Sequence, residues 1–380
     1  MFIVTLAYLA FVSLALPPSM LGVVWPSMRL SFSQPLSAVG LVPPVGVLAG
    51  LVSTSLAPYI LRRFGVGRVL AVGTFGSVAA LALSAASTNM WQFLAAVAVS
   101  GLAAGAVDTT LNVFAARTFG PRRINLMHAF YGLGAAVSPL IATAVIAGGV
   151  SWRWAYLIVM GLQLVVALVF TVTRSRWDVP VPERTTSGTP STQGVWSLDS
   201  TLGIVLAAVQ NGIEATVAIW SFVFLTELGV STVIAGGLTS GYWLTLVIGR
   251  IGFGSLAERV GSWRVMGIAV ALLLGAAVLA NLALPVPAMA AVLLFGVGAA
   301  PVYPLLVLTT AERTSPEVAD RVIGFQAASS SIGNAIAPGL VGLVIAVQPH
   351  AFGWATAALA VTAAVLVLVI HRRVYADARS

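Results

Sequence analysis

The sequence predicts an all-α membrane protein with twelve transmembrane helices in two pseudo-symmetric six-helix bundles. Only 8% of its 380 residues are charged and 59% are hydrophobic, whereas a soluble domain carries about 25% charged residues. Apolar runs of about 20 residues, the length that crosses a bilayer as a helix, recur along the whole chain. Motifs of the first half also reappear in the second half, which indicates an internal duplication.

The apolar runs divide the chain into two halves. They lie near 3–28, 36–60, 68–87, 90–115, 123–147, 152–173, 199–224, 231–255, 264–284, 287–311, 321–346 and 352–370. Between the sixth and seventh runs, a polar stretch rich in Pro, Ser and Thr is typical of a flexible loop. We therefore predict an N-terminal half at 1–173, a cytoplasmic central loop at 174–198 and a C-terminal half at 199–380.

Arginine is distributed unequally between the two sets of loops. One side carries the clusters at 62–68, 117–123 and 372–379, whereas the other has little beyond Arg29 and Arg153. Cytoplasmic loops accumulate arginine, so both termini are predicted to be cytoplasmic, and the net charge of +8 does not require a nucleic-acid partner. The first run lacks a basic leader and a cleavage site, so we interpret it as a retained helix. We expect a multi-pass protein of the bacterial cytoplasmic (inner) membrane.

Several functional classes are excluded by residues that the chain does not contain. It has no cysteine and no lysine, so it has neither thiolate metal sites nor the lysine of an ATP-binding P-loop. Its three histidines, at 128, 350 and 371, are too far apart in sequence to indicate a metal site. We therefore predict no enzyme activity, no metal and no cofactor.

The two halves align at a nearly constant offset. "RRFGVGRVL" (62–70) matches "ERVGSWRVM" (258–266) at an offset of 196, and Trp25 matches Trp220 at 195. "INLMHAFYGLGAAVSPLIATAVI" (124–146) matches "IGFQAASSSIGNAIAPGLVGLVI" (323–345) at 199. Six helices, a loop and six more helices in parallel repeat resemble the two halves of a major facilitator transporter, which implies a site between halves that rock in alternating access.

The chain resembles the major facilitator superfamily over essentially its whole length. "APYILRRFGVGRVLAVG" (57–73) is similar to the signature between the second and third helices of that family, and "GFGSLAERVGSWR" (252–264) is similar to its second copy. Arg62 stands where the signature usually has an aspartate, whereas the second copy keeps its acid. The resemblance implies a monomer with a cytoplasmic charge latch. Its members here are Arg63, Arg68, Glu258, Arg259 and Arg264.

A narrower resemblance covers "GLAAGAVDTTLNVF" and the following "RINLMHAFYGLGAAVSP". This part resembles the fucose:proton symporter family of sugar transporters, whose fourth helix carries an acid that takes part in proton-coupled sugar uptake. Asp108, Asn112, Arg123 and Asn125 fall on the matching positions. The second acid of that family, in the first helix, is absent, because Ser19 and its neighbours stand in that region. A coupling scheme with two N-terminal acids therefore does not apply intact.

Asp108 is the most conspicuous charge in the N-terminal half. Gly101, Gly105, Asp108 and Asn112 recur at steps of three and four, so they share a helix face. A charge at the centre of a membrane costs roughly 3 kcal/mol, so exposure to a cavity, pairing or protonation must compensate for it. We interpret Asp108 as a proton carrier; the alternative is a structural acid tied to a loop arginine or a helix end.

His128 lies one turn inside the fifth predicted helix, one turn after Asn125. Because imidazole titrates near neutral pH, His128 is a candidate to exchange a proton with Asp108 or to bind substrate. The equally weighted alternative is a hydrogen bond between helices.

Glu214 is the corresponding acid of the C-terminal half. It lies midway along the seventh predicted helix, one turn after Gln210 and Asn211, and the offset of 195 aligns it with Ser19. We predict that Glu214 faces the central cavity and shares proton or substrate binding with Asp108. The alternative is a buried acid paired with Arg250, which we interpret as a structural charge partner rather than a substrate anchor.

Aromatic and amide side chains are the remaining candidates for binding a small polar substrate. Together with Asn112, Gln210 and Asn211, the predicted lining comprises Trp25, Asn125, Tyr131, Trp220, Tyr303, Gln326 and Asn334. We predict a secondary active transporter that moves a small polar solute, with a sugar favoured by the resemblance alone, by proton-coupled alternating access. The alternatives are a proton-coupled exporter of hydrophobic drugs or metabolites and a non-transporting receptor with a transporter fold.

Overall fold

The computed structural model describes residues 2–177, 196–314, 316–348 and 351–377. Within these residues the secondary structure is helical, and twelve helices are long and apolar enough to cross a membrane. The chain divides into two compact units, Met1–Thr185 and Thr186–Ser380. The prediction of twelve spans in an all-α membrane protein is therefore confirmed.

The first unit contains seven α-helices. They are α1 (Phe2–Ser19), α2 (Leu21–Ser31), α3 (Val42–Phe64), α4 (Val66–Ala86), α5 (Met90–Thr118), α6 (Pro121–Ala147) and α7 (Arg153–Thr173). Short 3-10 helices at Leu36–Leu41 and Arg174–Trp177 precede α3 and follow α7.

The second unit contains eight α-helices. They are α8 (Leu198–Glu227), α9 (Thr232–Val260), α10 (Ser262–Asn281), α11 (Pro285–Ala299), α12 (Val302–Leu308), α13 (Thr310–Arg313), α14 (Pro316–Val347) and α15 (Phe352–Asp377). Helices α12 and α13 are short segments that follow α11.

Two predicted spans are interrupted in the structure, and proline accounts for both breaks. The first run ends as α1 at Ser19 and resumes as α2, with Pro17 and Pro18 in the last turn of α1. The tenth run is broken between α11 and α12, where Pro301 is the N-cap residue of α12. Proline lacks the N–H that would bond to the preceding turn, and its ring crowds the carbonyl there.

The beginning of the predicted central loop is folded. Trp177 is completely buried, its ring centroid lies 4.7 Å from that of Phe114 and 5.2 Å from that of Phe170, and its Nε1 donates to Thr173 Oγ1 at 3.2 Å. This burial holds the end of α7 against the core of the first unit. Residues 178–195 of that loop lie outside the described residues.

The internal repeat reappears in the packing of equivalent helices. A Cβ added at Gly134 of α6 would collide with the carbonyl of Val12 on α1. A Cβ added at Gly333 of α14 would collide in the same way with the carbonyl of Ala208 on α8. Since both pairs lie at nearly the offset of the sequence repeat, the two units use one close helix contact, which only glycine permits.

Candidate functional site

An ion pair connects α8 and α9 within the second unit. Glu214 is 9% exposed, and Nη2 of Arg250 lies 3.4 Å from its Oε1 and 3.2 Å from its Oε2. Both residues belong to membrane-spanning helices. The pairing that the sequence left as an alternative for Glu214 is therefore present in the structure.

Two further side chains hold Glu214 in place. Gln210, one turn earlier on α8, donates from Nε2 to Glu214 Oε1 at 3.3 Å and to the carbonyl of Ala299 at 2.9 Å. Tyr242 on α9 donates its hydroxyl to the backbone carbonyl of Glu214 at 3.0 Å. The carboxylate is thus fixed by contacts that connect α8 with α9 and with the end of α11, beside the proline-rich break.

Arg250 is far more exposed than its partner. Its side chain is 45% exposed, compared with 11% for Glu214, and it lies about 15 Å before the end of α9. A guanidinium at that depth is costly in hydrocarbon. We therefore expect its exposed part to face water or a polar ligand, which makes this face of the second unit the strongest candidate for a binding surface.

In the first unit, Asp108 forms a smaller polar group with its neighbours. Nδ2 of Asn112 donates to the Asp108 carbonyl at 2.9 Å and to its Oδ1 at 3.2 Å. The imidazole of His128 interacts electrostatically with the carboxylate. Asp108 and His128 are both exposed, so α5 and α6 together present an acid and a base on one surface.

Phe11 of α1 packs against the aromatic side chains of this surface. The Phe11 ring meets His128 edge to face, with centroids 5.3 Å apart, and meets Tyr131 at 6.5 Å. Asn125, one turn before His128, is also exposed. Contacts thus connect Asp108 with His128, and His128 with Tyr131 through Phe11, whereas their role in binding stays a prediction.

The glycines of the Asp108 face have a packing role. A Cβ added at Gly101 would collide with the carbonyl of Gly46, and one added at Gly105 would lie 2.7 Å from the carbonyl of Gly50. The same face of α5 thus packs against α3 through its glycines and presents Asp108 beyond that contact.

The two matched tryptophans have packing roles instead of lining an exposed surface. Trp25 is 1% exposed and donates from Nε1 to the carbonyl of Leu36 at 2.8 Å. Trp220 has no exposed surface and donates to the carbonyl of Pro338 at 2.9 Å. The expectation of open lining at these positions is corrected here, because each indole is enclosed within its own unit and its N–H is occupied.

Of the other predicted lining residues, two have amides that bond to neighbouring helices and two have exposed side-chain surface. Asn211 donates to Ser330 Oγ at 2.9 Å, and Gln326 has no exposed surface and donates to Thr310 Oγ1 at 3.1 Å. Both amides therefore connect α14 to its neighbours. Asn334 is exposed on α14 and Tyr303 is partly exposed on α12, so these two remain available to a solute.

Arg313 of α13, a partly buried arginine that the sequence reasoning did not select, packs against the start of α8. Arg313 donates from Nη2 to the carbonyl of Leu306 at 2.9 Å and to Thr310 Oγ1 at 3.1 Å, and from Nη1 to the carbonyl of Asp199 at 3.4 Å. Burial lowers the pKa of Arg313 to about 10, although the acids Asp199 and Glu312 act in the opposite direction. In the sequence, the only indication was that Arg313 closely follows the tenth apolar run.

The carboxylate of Asp199 has its own arginine partner on α15. Nε of Arg373 lies 2.5 Å from Oδ1 and Nη2 lies 3.2 Å from Oδ2. Asp199 therefore connects the first turn of α8 to α13 through its carbonyl and to α15 through its carboxylate.

The residues of the predicted charge latch lie at helix ends. Arg63 lies over the ring of Phe64, with its Cζ 5.7 Å from the centroid, and Arg68 is exposed near the start of α4. Glu258 and Arg259 are exposed at the end of α9, and Arg264 donates to the carbonyl of Val260 at 3.5 Å. These positions are compatible with a latch, which stays a prediction.

Comparisons with known proteins give one family match. The family model for the Major Facilitator Superfamily matches residues 7–338 and 201–379, and no curated protein sequence matches the chain. The fold is similar to the solved nucleoside transporter NupG, with a TM-score of 0.73, 15% identity and 97% of each chain covered.

Two other solved structures share the fold. A bacterial homologue of the human lysosomal transporter Spinster has a TM-score of 0.76 and 13% identity over 100% of this chain and 96% of its own. The fucose:proton symporter FucP of E. coli has a TM-score of 0.61 and 16% identity over 98% of both chains. At these identities the likeness describes the fold.

Proposed function

This chain belongs to the Major Facilitator Superfamily and is a multi-pass membrane transporter, not an enzyme, and we propose that it moves a small polar solute by proton-coupled alternating access. The family membership supports secondary transport, and the charged residues of both units support the proton as the coupling ion. A sugar is the cargo favoured by the fucose-symporter resemblance. We propose that the protein is located in the bacterial cytoplasmic membrane with both termini in the cytoplasm. We also propose that it works as a monomer.

The observation that carries this proposal is the ion pair between Glu214 and Arg250. An ion pair inside a span is held by the charge of both partners. If a proton neutralises the carboxylate, the guanidinium loses its counter-charge while Gln210 and Tyr242 keep their places. Proton binding would therefore change the contact between α8 and α9, which is the kind of local electrostatic event that biases a two-state transporter.

Asp108 and His128 are proposed as the second proton site. Both are exposed on spanning helices, and the carboxylate interacts with the imidazole and with Asn112. An acid beside a base that titrates near neutral pH can pass a proton in either direction. The exposed residues Asn125, Tyr131, Tyr303 and Asn334 are the proposed solute contacts, and the buried Trp25, Trp220, Gln210 and Gln326 are proposed to hold their helices in position.

Proteoliposomes with a pH-sensitive dye trapped inside test this function. A panel of sugars, organic acids and drug-like cations is first screened by thermal shift at two pH values, and the compounds that stabilise the protein are then added outside the vesicles. We expect a stabilising solute to drive proton movement, and an imposed pH gradient to drive solute accumulation. Solute flux that ignores the pH gradient would rule out proton coupling. Stabilisation by hydrophobic cations alone would favour the drug exporter.

A further inference from the structure

We propose that Arg250 is an anion-binding residue and that the transported solute carries a carboxylate, which exchanges with Glu214 for the guanidinium. This inference rests on the proposed function and names the substrate class of the same site. It starts from the contrast between the two partners. Glu214 is enclosed, whereas the side chain of Arg250 is 45% exposed inside a spanning helix.

The donors of Arg250 are only partly used. Its Nη2 makes both contacts with Glu214. Within the described part of the chain, no acceptor lies within hydrogen-bond distance of its Nε or Nη1. A guanidinium has five N–H donors in a planar fork that matches a carboxylate. The exposed side of Arg250 therefore presents unused donors to whatever polar group occupies that face.

Charge balance favours a carboxylate over a phosphate. In the ion pair, one positive charge faces one negative charge. If Glu214 takes up a proton and a monocarboxylate takes its place, the sum of charges around Arg250 is unchanged. A phosphate carrying two negative charges would leave one charge uncompensated, which is costly inside a membrane. Binding of one carboxylate with one proton is thus electroneutral.

The surroundings of Glu214 permit this exchange. Arg250 and Tyr242, both on α9, are the titratable groups that interact with it. Among the other charged groups of the packed helices, Arg313 of α13 and Arg373 of α15 lie at the first turn of α8 beside Asp199, about 22 Å along the helix from Glu214. Glu258 and Arg259 of α9 lie at the end of that helix, about 12 Å or more along it from Arg250.

The remaining neighbours of α8 contribute no competing charge. The charged start of α14 is level with the start of α8, because Ser329 donates to the carbonyl of Ile204. Helix α11 is connected to Glu214 by an uncharged group, because Gln210, which donates to Glu214, also donates to the carbonyl of Ala299. A proton that enters the Glu214–Arg250 pair therefore changes the charge of that pair alone.

The test is a thermal-shift and calorimetric titration of the purified full-length protein in detergent. The probes are acetate, lactate, gluconate, glucuronate and benzoate, each paired with its uncharged amide or alcohol counterpart, and inorganic phosphate. Titrations run at pH 5.5 and 7.5, where free carboxylates stay charged. We expect at least one carboxylate to stabilise the protein more than its neutral counterpart. Linked uptake of one proton would strengthen its binding by up to about tenfold per pH unit.

Two variants connect this binding to the ion pair. In Glu214→Gln, the competing carboxylate is absent, so carboxylate binding should become independent of pH. In the double variant Glu214→Gln/Arg250→Gln, a neutral amide pair replaces the ion pair, and binding should be lost. The unliganded melting temperature of each variant and its elution from size exclusion check that it is folded.

The outcomes separate this inference from the proposed function. Binding that persists in the double variant, equal binding of the neutral counterparts, a preference for phosphate at pH 7.5, where its doubly charged form predominates, or no stabilisation by any carboxylate would overturn the anion site. Binding that depends on Arg250 but not on pH, even in the wild type, would support the anion site and count against Glu214 as the proton carrier.

Discussion

Glu214 and Arg250 are 36 residues apart in sequence, yet Nη2 of Arg250 lies 3.2 Å from Oε2 of Glu214 within the membrane-spanning part of the second unit. The pair connects α8 with α9, two consecutive helices that cross the membrane in opposite directions. It therefore contributes both to the stability of the unit and to the response to protons that we propose.

Removing the arginine alone should destabilise the protein more than replacing both partners. Arg250→Gln leaves the enclosed Glu214 carboxylate without a counter-charge, whereas adding Glu214→Gln restores a neutral hydrogen-bonded pair. Because the arginine is partly exposed, we expect about 1–3 kcal/mol for the single change, below the cost at a fully enclosed pair. Melting in detergent measures both variants. A double variant as unstable as the single one would contradict this coupling.

Asp108→Asn should abolish solute-driven proton uptake with little loss of stability. The asparagine is almost isosteric, and its side-chain oxygen can still accept from Asn112 Nδ2. The exposed Asp320 on α14 offers a matched control as Asp320→Asn. Dye-loaded proteoliposomes report the proton flux. Wild-type proton uptake by the Asp108 variant would assign this acid a structural role.

Gly333→Ala should destabilise the second unit, whereas Gly324→Ala on the same helix should not. The new Cβ at 333 would collide with the Ala208 carbonyl, while the space around Gly324 is open within 4 Å. Overpacking of this kind costs about 1–3 kcal/mol, and alanine in an open helical position is favourable. Thermal melting of the two variants compares them directly. Equal melting temperatures would show that α8 and α14 separate easily.

The twelve spans and the internal repeat could be predicted from the sequence, because both depend on local composition and on spacing along the chain. The breaks at Met20 and near Pro301 were not predicted, although prolines were visible there. A proline can kink a helix or end it, and the choice depends on tertiary neighbours such as Gln210, whose amide occupies the carbonyl of Ala299.

The site was harder to predict than the fold. Periodicity showed which residues share a helix face, but an apolar membrane protein has three kinds of face: lipid, protein core and water. Trp25 and Trp220 were therefore assigned to an open surface, although both are enclosed. The pairing of Arg250 with Glu214 could be listed as an alternative but not selected, since it depends on how α9 crosses α8.

Arg313→Lys should lower the melting temperature, whereas Arg372→Lys should leave it almost unchanged. Lysine has three donors on one nitrogen and cannot reach the separate acceptors that Arg313 satisfies on α12, α13 and α8. Arg372 is exposed on α15. A shift of several degrees is expected for the first variant, from about 1–3 kcal/mol of unsatisfied buried groups. An unchanged melting temperature would remove Arg313 as an organiser of this helix end.

The most direct measurement is solute-driven proton uptake in proteoliposomes that contain wild-type protein, Glu214→Gln or Glu227→Gln, with a solute selected by the thermal-shift screen. Glu227 is an exposed acid at the end of the same helix and serves as the matched control. We predict uptake by the wild type and by Glu227→Gln, and none by Glu214→Gln, which should still exchange labelled solute across the membrane. Proton uptake by Glu214→Gln at the wild-type rate would contradict the role of the Glu214–Arg250 ion pair in coupling.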